Sequence, residues 1–535
     1  MKFLVCIKQV VDTSKMEVDP TTGRLKRNNA NSIMNPLDLH ALEAAFSLRD
    51  EVGGTVTVIT MGPPQAAAVL KDAVAMGADE VYLVTDRAFG GADTLATSYT
   101  LAQAIEKLGT FDLIFCGQES IDSNTAQIGP EIAATLGIAD VSAAVGISYE
   151  KKGFLTVKRQ IGGNIEVLEL ALPAVVTATE ALNHARYPSI KGLLKKDEVE
   201  IGNLTAVDLP VDPARIGMKG SPTQVRQRQM CIRDRADQLG EEVAVVLIGA
   251  DLKDPASSLI PLGADKVYVI DHPLLAHYDG KAYQKALAPF LLEKKPDTII
   301  FGATPFGRDL APRLAAELDC GVTADVPELS ADTEKGLVIW SRPAMDGNIM
   351  ADIVSPDYRP QVGTVRPGIF KYPQADASRT GEVISLSVSL EEKDLGTVLK
   401  EIIAGEKDSH PVENAKVVVA GGRGIRTEEE WAKLHELADL LGAAVGCSRP
   451  IAELGWEPHR HQIGQTGKGV APKIYFALGI SGAMQHMCAV NADIVIAVNK
   501  DPKAPIMEMA DYAVEADLKD FLPLLIEKIK ALKSK

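Results

Sequence analysis

The 535-residue sequence is poor in cysteine and in aromatic residues, and it lacks a long apolar run. Its cysteines are scattered and none forms a CxxC pair, so neither a disulfide framework nor a zinc site is expected. No apolar run approaches the ~18 residues of a membrane-spanning helix. At 5%, aromatic residues leave no evident stacking surface for nucleic-acid bases. The cysteines are Cys6, Cys116, Cys231, Cys320, Cys447 and Cys488.

The N-terminal stretch MKFLVCIKQVVDT turns polar too early for a secretory signal peptide. We therefore expect a cytoplasmic protein with no integral membrane segment. A formal net charge of −16 argues against nucleic acid as the main partner. One stretch of this acidic chain is basic: VRQRQMCIRDR at 225–235 contains Arg226, Arg228, Arg233 and Arg235.

Short strands rich in valine and isoleucine alternate with helical patterns along the chain. KFLVCIKQV, TVTVITMG, EVYLVT and FDLIFCG are strand-like, and NPLDLHALEAAFSLRDE is helical. This alternation is typical of an α/β fold built on parallel sheets.

The chain also repeats itself. MGADEVYLVTD returns as LGADKVYVIDH, and FDLIFCGQESIDSNTAQIGPEIAATLG returns as PDTIIFGATPFGRDLAPRLAAELDCG. RQIGGNIEVLELALPAVVTAT answers RPAMDGNIMADIVSPDYRPQVGTVRPG at a similar offset. So long a period excludes a solenoid and predicts one α/β domain used twice.

The repeat indicates that a segment is missing at 226–235. Gly53 of the first copy aligns with Gly240 of the second, and the first copy has a strand and a helix upstream of that point. The second copy has VRQRQMCIRDR instead, which we interpret as a seam without a function of its own. The predicted regions are a first domain at 1–225, the junction at 226–235, a second domain at 236–400 lacking its first βα unit, a linker at 401–414 and a third domain at 415–535.

The third domain is again α/β, with KVVVAGGRG, KIYFALGI and DIVIAVN as strands. Thr427 is the expected cap of the helix TEEEWAKLHELADLLGA, with Glu430 at the capping-box position.

Two loops flank one strand of this third domain. GQTG offers Gln465 and Thr466, and GISGAMQH opens a helix at Ser481–Ala483. Small residues at a helix start favour a phosphate-bearing ligand at the carboxyl edge of the sheet. The alternative is two ordinary tight turns. AGGRG lacks GxGxxG and is a weak dinucleotide signal.

Two further side chains of this domain have open roles. Arg449 is suited either to a flat anionic ring or to a surface ion pair. His486 is either a ligand contact or a helix-face histidine satisfied by a carbonyl.

The first domain has a polar loop, GQESIDSNTAQIGP, after the strand LIFC. With MNPLD (34–38) it suits a ribose and a phosphate, although a capped polar loop is an equal alternative. The second copy lacks this polar cluster. NHARYPSIKGLLKK (183–196) combines apolar residues with lysines and predicts either a docking peptide or a covered loop.

No Ser/His/Asp or Cys/His constellation, HExxH, Walker A motif or paired carboxylates are present. The chemistry is therefore expected from a cofactor.

The motifs resemble the electron transfer flavoproteins. GQTG, GISGAMQH, VNKDPKAPI and ADYAVEADL carry the resemblance. Residues 1–226 look like the beta subunit and 236–535 like the alpha subunit, joined in one chain. The family implies two duplicated parallel-sheet nucleotide-binding-like domains and a third, Rossmann-like FAD-binding domain. At the junction the sequence departs from the family, which has a C-terminal beta-subunit arm and an alpha-subunit N-terminal strand and helix there.

The resemblance implies an FAD site on the third domain, with flavin-tuning roles for Arg449, Thr466 and His486. Donors there would favour the electron-rich, anionic flavin. The FAD contacts carried over are Arg423, Ser448, Arg449, Ile463, Gly464, Gln465, Thr466, Ser481, Gly482, Ala483, Met484, Gln485, His486, Asn499, Asp517 and Leu518.

The resemblance also implies a second nucleotide site, which holds AMP in ordinary members and a second FAD in electron-bifurcating ones. Its residues are Cys6, Asn35, Pro36, Leu37, Asp38, Met61, Gly117, Asp122, Ser123, Asn124, Thr125, Ala126, Gln127 and Ile128. A partner recognition loop at 183–196 would dock through Ile190, Leu193 and Leu194.

DSNTAQIGP and NIMADIVSPDYRPQVGTVRPG are more similar to the bifurcating group. Bifurcation implies NADH as donor, with ferredoxin or flavodoxin and a higher-potential acceptor. Otherwise the partners are an acyl-CoA or other dehydrogenase and a quinone-linked oxidoreductase. The remaining alternatives are a non-redox adenine-nucleotide sensor or hydrolase, and a chimeric gene model with no function as one chain.

Overall fold

The computed structural model describes residues 1–11, 32–161, 163–226, 242–252, 256–344, 349–367, 375–404, 411–464 and 467–533. The predicted α/β class is confirmed. The chain divides into two compact units. Unit 1 comprises Met1–Met345, Ala351–Val365 and Tyr372–Gly405, and unit 2 comprises Asp346–Met350, Arg366–Lys371 and Glu406–Lys535. Residues 227–241, which include Arg228, Arg233 and Arg235 of the junction, lie outside the described residues, and the predicted domain boundaries stay predictions.

The strands up to residue 403 are β1 (Lys2–Cys6), β2 (Gln9–Val11), β3 (Ser32–Met34), β4 (Thr55–Met61), β5 (Glu80–Val84), β6 (Leu113–Gly117), β7 (Ala139–Lys151), β8 (Phe154–Ile161), β9 (Asn164–Ala171), β10 (Ala174–Ala178), β11 (Gly202–Leu204), β12 (Gln224–Arg226), β13 (Ala244–Gly249), β14 (Lys266–Asp271), β15 (Thr298–Gly302), β16 (Val322–Val326), β17 (Glu328–Asp332), β18 (Leu337–Ala344), β19 (Ile349–Val354), β20 (Gln361–Val365), β21 (Glu382–Ser385) and β22 (Thr397–Ile403). The helices are α1 (Pro36–Val52), α2 (Ala67–Met76), α3 (Thr94–Leu108), α4 (Ile128–Leu136), α5 (Ile190–Lys195), α6 (Gly280–Lys294) and α7 (Pro305–Leu318).

The first repeat is built on a ten-stranded sheet with the order β11-β5-β4-β1-β6-β10-β7-β8-β9-β22. Strand β1 lies between β4 and β6 and is parallel to both. Its apolar residues serve both faces of the sheet: Phe3 and Val5 pack with α1 and α2, and Leu4 packs with α3 and α4. This two-sided burial is why KFLVC reads as a continuous apolar run.

The second repeat forms smaller sheets. Strands β13-β14-β21 make one and β15-β20-β16 make another, while β12-β19-β18-β17 form a four-stranded sheet. The two repeats exchange strands, because β22 pairs antiparallel with β9 and β12 pairs antiparallel with β19. The sequence patterns did not predict this exchange.

A buried ionic cluster joins the two repeats. Arg313 of α7 pairs with Asp140 of β7, and both side chains are almost fully buried. Asp309 accepts hydrogen bonds from Ser142 and, at 2.6 Å, from the Tyr278 hydroxyl. Burial, together with the Asp309 charge, raises the pKa of Asp140 to about 8, although Arg313 opposes the shift. One guanidinium therefore faces two buried carboxyl groups.

Unit 2 contains a five-stranded parallel sheet with the order β24-β23-β25-β26-β27. Thr427 caps its first long helix as predicted, but Glu430 accepts from the Arg426 backbone rather than from the cap residue. No helix within the described ranges is long and apolar enough to cross a membrane. The strands are β23 (Val417–Gly421), β24 (Ala444–Cys447), β25 (Ile474–Leu478), β26 (Ile494–Asn499) and β27 (Tyr512–Glu515), and the helices are α8 (Glu428–Leu441), α9 (Arg449–Glu453), α10 (Met484–Met487), α11 (Pro505–Met509) and α12 (Leu518–Lys533).

The buried carboxyl pair predicts a loss of stability in alkali. A carboxyl group whose pKa is raised on folding stabilises the fold fully below its unfolded pKa, and this contribution is lost as the pH rises through about 8. We expect the free energy of unfolding, measured by urea titration, to fall between pH 6 and pH 9. In Asp309→Asn this fall should be smaller by about 1 kcal/mol. The exposed Asp357→Asn should behave like wild type, and an unchanged pH dependence in Asp309→Asn would contradict the assignment.

Candidate functional site

The five parallel strands of unit 2 end at one edge of their sheet, and the predicted FAD contacts follow those ends. Arg423 follows β23, Ser448 and Arg449 follow β24, and Asn499 ends β26. Ser481–His486 follow β25, and Asp517 and Leu518 follow β27. The strand order reverses direction between β23 and β25, which is where open α/β sheets form a ligand crevice. Ile463 and Gly464 lie beside this edge, since Ile463 bonds to the Cys447 carbonyl at 2.8 Å. Gln465 and Thr466 lie outside the described residues.

Glycines let the loops of this edge approach closely. The Gly424 N–H donates to the Gly479 carbonyl at 2.9 Å, and a side chain on Gly424 would meet the Gly479 backbone at 2.5 Å. Gly482 has a φ of +83°, and a Cβ there would lie 2.3 Å from the backbone nitrogen of Ile506. The Asn499 amide donates to the Ile480 carbonyl at 2.9 Å and fixes the same loop. The glycines therefore bring the backbones of these loops into direct contact.

The helix predicted to open at Ser481–Ala483 begins at Met484 and is short. Helix α10 is one turn, because Val490 already pairs with Val470 and β26 begins at Ile494. Its dipole is correspondingly small. Recognition at this loop must come from individual backbone and side-chain groups.

His486 is buried and held by a residue that sequence reasoning missed. Its Nε2 lies 2.6 Å from the hydroxyl of Tyr475, which points inward from β25. Burial lowers the pKa of His486 to about 4, so the ring is neutral at pH 7, although the Ile463 backbone opposes the shift. Burial also raises the pKa of Tyr475, which keeps its hydroxyl protonated. Within the described residues the buried Nδ1 of His486 has no hydrogen-bond partner.

Arg449 forms the surface ion pair that the sequence left open as an alternative. Its Nε lies 2.8 Å from a carboxylate oxygen of Glu453, one turn along α9. Both side chains are largely exposed, so the pair is weak and leaves the guanidinium available. Its role beside a flat ring stays a prediction. The neighbouring Ser448 precedes α9 without using its hydroxyl to cap the helix.

Glu457 holds the elements behind this edge together, although it belongs to no recognisable sequence motif. It is buried and accepts hydrogen bonds from Trp431 at 3.1 Å, His435 at 2.9 Å and His461 at 2.5 Å. Burial acts to raise the pKa of Glu457, but the two histidines outweigh it and lower the pKa to about 2. The carboxylate thus ties α8 to the turn that leads into Ile463.

In unit 1, the predicted second site gathers at the carboxyl ends of β1, β4 and β6. Asp38 accepts from the backbone of Lys8 at 2.7 Å and of Gly117 at 3.2 Å. Its other partner is the Asn35 amide at 2.9 Å, and burial raises the pKa of Asp38 to about 7 against these hydrogen bonds. Asn35 also donates to the Glu119 carbonyl at 2.9 Å, so the two loops form one network. Pro36 and Leu37 begin α1, and Met61 ends β4.

The polar loop after β6 is organised by residues that sequence reasoning missed. Lys8 contacts Asp122 at 2.7 Å, and Ser120 bonds to both Asp122 and Ser123. Arg342 of the second repeat donates to the carbonyls of Ser123 and Asn124, at 2.8 Å and 3.1 Å. The loop is therefore fixed in shape.

The predicted residues of this loop and strand are not equally placed for a ligand. Gln127 is buried, accepting from Thr94 at 2.7 Å and donating to the Val322 carbonyl at 3.0 Å, so its amide already has partners. Thr125 and Ala126 lie between the fixed part of the loop and Ile128, which begins α4. Cys6 is buried in register with Cys116, and that neighbour together with burial raises the pKa of the Cys6 thiol.

The predicted docking segment presents apolar side chains to solvent. Ile190 is 82% exposed and Leu194 is 73% exposed on the short helix α5, with Leu193 beside them. Gly192 packs against the backbone of Ala75 in α2, where a Cβ would lie 2.1 Å from a carbonyl oxygen. Within unit 1 the apolar side chains of this segment are therefore exposed rather than covered.

Comparison with known families gives two matches. The electron transfer flavoprotein domain matches residues 22–210 and 233–391, which takes in both repeats. The electron transfer flavoprotein FAD-binding domain matches residues 411–491, which contain β23, β24 and β25.

The alignments with several relatives cover more than half of this chain. It is 49% identical over 301 residues to an electron transfer flavoprotein subunit alpha of Megasphaera elsdenii, which spans 56% of this chain and 89% of the relative. It is 43% identical over 298 residues to the Protein FixB of Clostridium saccharobutylicum, at 56% of this chain and 89% of that protein. The acryloyl-CoA reductase electron transfer subunit beta of Anaerotignum propionicum is 39% identical over 326 residues, at 56% and 89%.

Glu457→Gln should loosen the unit-2 edge. The charge that holds the two histidines is lost, so we expect the free energy of unfolding of this unit at pH 7 to fall by about 2 kcal/mol. Wild type should lose this contribution as the pH falls from about 4.5 to about 2, and the variant should not. Urea unfolding followed by tryptophan fluorescence measures both effects. Glu429→Gln, an exposed change in α8, is the control, and equal loss in both variants would refute the role of Glu457.

Proposed function

Because the chain belongs to the electron transfer flavoprotein family, we propose that it binds FAD at the carboxyl edge of the unit-2 sheet and carries electrons between redox partners. The observation that supports this site is the convergence of five strand ends, with the family's FAD contacts following each of them. The electron donor is a dehydrogenase or NADH, and the acceptor is a partner oxidoreductase or a quinone-linked protein.

The residues at this edge suit FAD. Close-packed glycines keep this edge free of bulky side chains where a pyrophosphate would approach, and the Ser448 hydroxyl is not used by its own helix. His486 has a buried Nδ1 that a ring carbonyl would satisfy. The side chains thus offer the donors that a flavin nucleotide requires.

Each side chain has a distinct task toward the cofactor. Bound FAD supplies the reversible uptake of electrons. The neutral His486 would donate through Nδ1 to a bound flavin, because the protonated Tyr475 hydroxyl occupies Nε2. Arg449, held only by a weak ion pair with Glu453, would be free to lie against a bound flavin and offset negative charge there. Thr466, which the family places at the flavin N5, completes the set.

We further propose a second adenine nucleotide at the unit-1 loops, either AMP or a second FAD. The fixed loop 118–127 and the Asn35–Asp38 turn support this, since they present backbone groups and hydroxyls at one sheet edge. A second FAD would make the chain electron-bifurcating, with NADH as donor and ferredoxin or flavodoxin as one acceptor. AMP would make it an ordinary carrier.

The exposed residues of α5 suit the docking of a dehydrogenase. Ile190 and Leu194 supply an apolar anchor, and Lys191 and Lys195 on the same turn supply a charged rim. The name of the Anaerotignum propionicum relative connects that protein with a CoA-linked reductase. We therefore propose an acyl-CoA dehydrogenase or a related enzyme as the partner.

The flavin content tests the cofactor assignments. We expect the purified chain to be yellow and to release FAD on denaturation, with flavin quantified by absorbance and AMP by chromatography. Two FAD per chain would support bifurcation, and one FAD with one AMP would support the ordinary carrier. A chain that refolds with added FAD yet retains none would refute the site.

Ile190→Glu should weaken partner docking without touching the cofactor. A charge at the centre of an apolar anchor is expected to slow FAD reduction by an acyl-CoA dehydrogenase about tenfold. Val207→Glu, at another exposed apolar position, should react like wild type. Stopped-flow absorbance under anaerobic conditions measures the rate. Equal rates in both variants at equal FAD content would exclude docking through α5.

A further inference from the structure

The docking segment 183–196 is held at its start by helix α1. The Asn183 amide donates to the His40 carbonyl at 2.9 Å, and the carbonyl and side-chain oxygens of Asn183 lie 3.0 Å and 3.1 Å from Nδ1 of His40. These contacts join two residues that are 143 positions apart in the sequence. The segment is therefore fixed to the first helix of unit 1 before its exposed part begins.

Three residues further on, Arg186 makes the largest set of contacts with α1. Its backbone N–H and its Nε donate to one carboxylate oxygen of Glu43, at 3.0 Å and 2.8 Å, and a terminal nitrogen donates to the other oxygen at 3.0 Å. The second terminal nitrogen donates to Asp50 at 2.9 Å, and the guanidinium lies 5.3 Å from the centroid of the Phe46 ring. Glu43, Phe46 and Asp50 follow the spacing of one helix face, so Arg186 binds along a single face of α1.

The pairing with Glu43 is stronger than an ordinary surface ion pair. Glu43 is buried, and it also accepts a hydrogen bond from the Ser47 hydroxyl at 2.7 Å. Burial acts to raise the pKa of Glu43, but the hydrogen bonds from Arg186 and Ser47 outweigh it and lower the pKa, so the carboxylate is charged at pH 7. A guanidinium that binds both oxygens of a carboxylate forms one of the stronger charge-assisted contacts in proteins. The start of the segment is thus held firmly.

A second contact holds the segment where α5 begins. The Ser189 N–H donates to the Ala75 carbonyl of α2 at 3.2 Å, and the Ser189 hydroxyl caps α5 by accepting from the Gly192 N–H at 3.0 Å. Between the contacts of Arg186 and those of Ser189, the Tyr187 side chain is 93% exposed, and the exposed Ile190 follows. Exposed apolar side chains therefore project from a backbone that is fixed on both sides of Tyr187.

We propose that Arg186 is a positioning residue for partner docking, because its contacts with Glu43 and Asp50 fix the backbone from which Tyr187 and Ile190 reach a partner dehydrogenase. A binding segment that is already held in one conformation does not lose conformational entropy when the partner binds. This role rests on the proposed docking through α5 and adds the residue that prepares it. The guanidinium acts through the segment rather than on the partner, since α1 already engages its nitrogens.

The rate of FAD reduction by an acyl-CoA dehydrogenase, measured over a range of dehydrogenase concentrations, tests the role on the full chain. In Arg186→Gln we expect the half-saturating dehydrogenase concentration to rise about tenfold while the limiting rate changes less than about twofold, because docking weakens and the flavin is untouched. Arg186→Lys should recover only part of the affinity, since an ammonium group lacks the planar fork. Arg49→Gln is the matched control and should behave like wild type. Arg49 lies over the same Phe46 ring and contacts Asp50 at 3.1 Å, but its other contacts are with Gly77 and Asp79, outside the segment.

Hydrogen exchange of the same variants gives a second readout. Loss of the Arg186 contacts should speed exchange of the Ser189 and Leu193 amides about tenfold, while the amides of β1 exchange as in wild type. Arg49→Gln should leave the exchange of both segment amides unchanged. Faster exchange together with a raised half-saturating concentration would support the positioning role.

Three outcomes for Arg186→Gln would overturn the role. The first is unchanged exchange in the segment, and the second is faster exchange with an unchanged half-saturating concentration. The third is a loss of FAD or of limiting rate at an unchanged half-saturating concentration, which would make Arg186 merely structural. Ile190→Glu separates this role from the docking proposal. If only Ile190→Glu raises the half-saturating concentration, the role of Arg186 alone fails, and if neither variant raises it, docking through α5 fails as well.

Discussion

A parallel strand that is buried on both faces needs a neighbour along each edge and a helix over each face. The two sheets that carry the proposed sites both satisfy this requirement. In unit 2, β23 lies between β24 and β25, and the reversal of strand order beside it opens the crevice where Arg423 and Ser481 follow their strands. In the first repeat, β1 has the same central place and ends beside the Asn35–Asp38 turn. Each predicted ligand site therefore lies at the end of a strand that has a neighbour on both sides.

The charges around these edges are arranged so that few of them are free. Glu457 serves three donors at once, Lys8 is paired with Asp122, and Asp38 accepts from three groups. His486 is kept neutral by burial. Such networks fix loops that would otherwise pay a large conformational entropy on binding. The exposed Arg449 is held only by a weak ion pair with Glu453, which lets it respond to a ligand.

The α/β class, the electron transfer flavoprotein family and the Thr427 cap were predictable because each depends on short-range pattern or on motif. The Glu457 network was not, since its partners Trp431, His435 and His461 form no motif. Tyr475 reads as an ordinary buried strand residue until His486 is placed beside it. Gln127 looked available in the sequence, yet the second repeat supplies the carbonyl of Val322 that engages it. These features depend on contacts between elements, which the period of a sequence does not encode.

The exchange of β12 and β22 between the repeats has a consequence for synthesis of the chain. Strand β9 is made early, but its edge partner β22 begins at Thr397, more than two hundred residues later. Contacts of such long sequence separation form slowly, because the intervening loop must close first. While the ribosome completes the second repeat, the edge of β9 stays unpaired. A nascent chain in that interval exposes an aggregation-prone hairpin, so chaperone binding would matter most between translation of residue 171 and of residue 403.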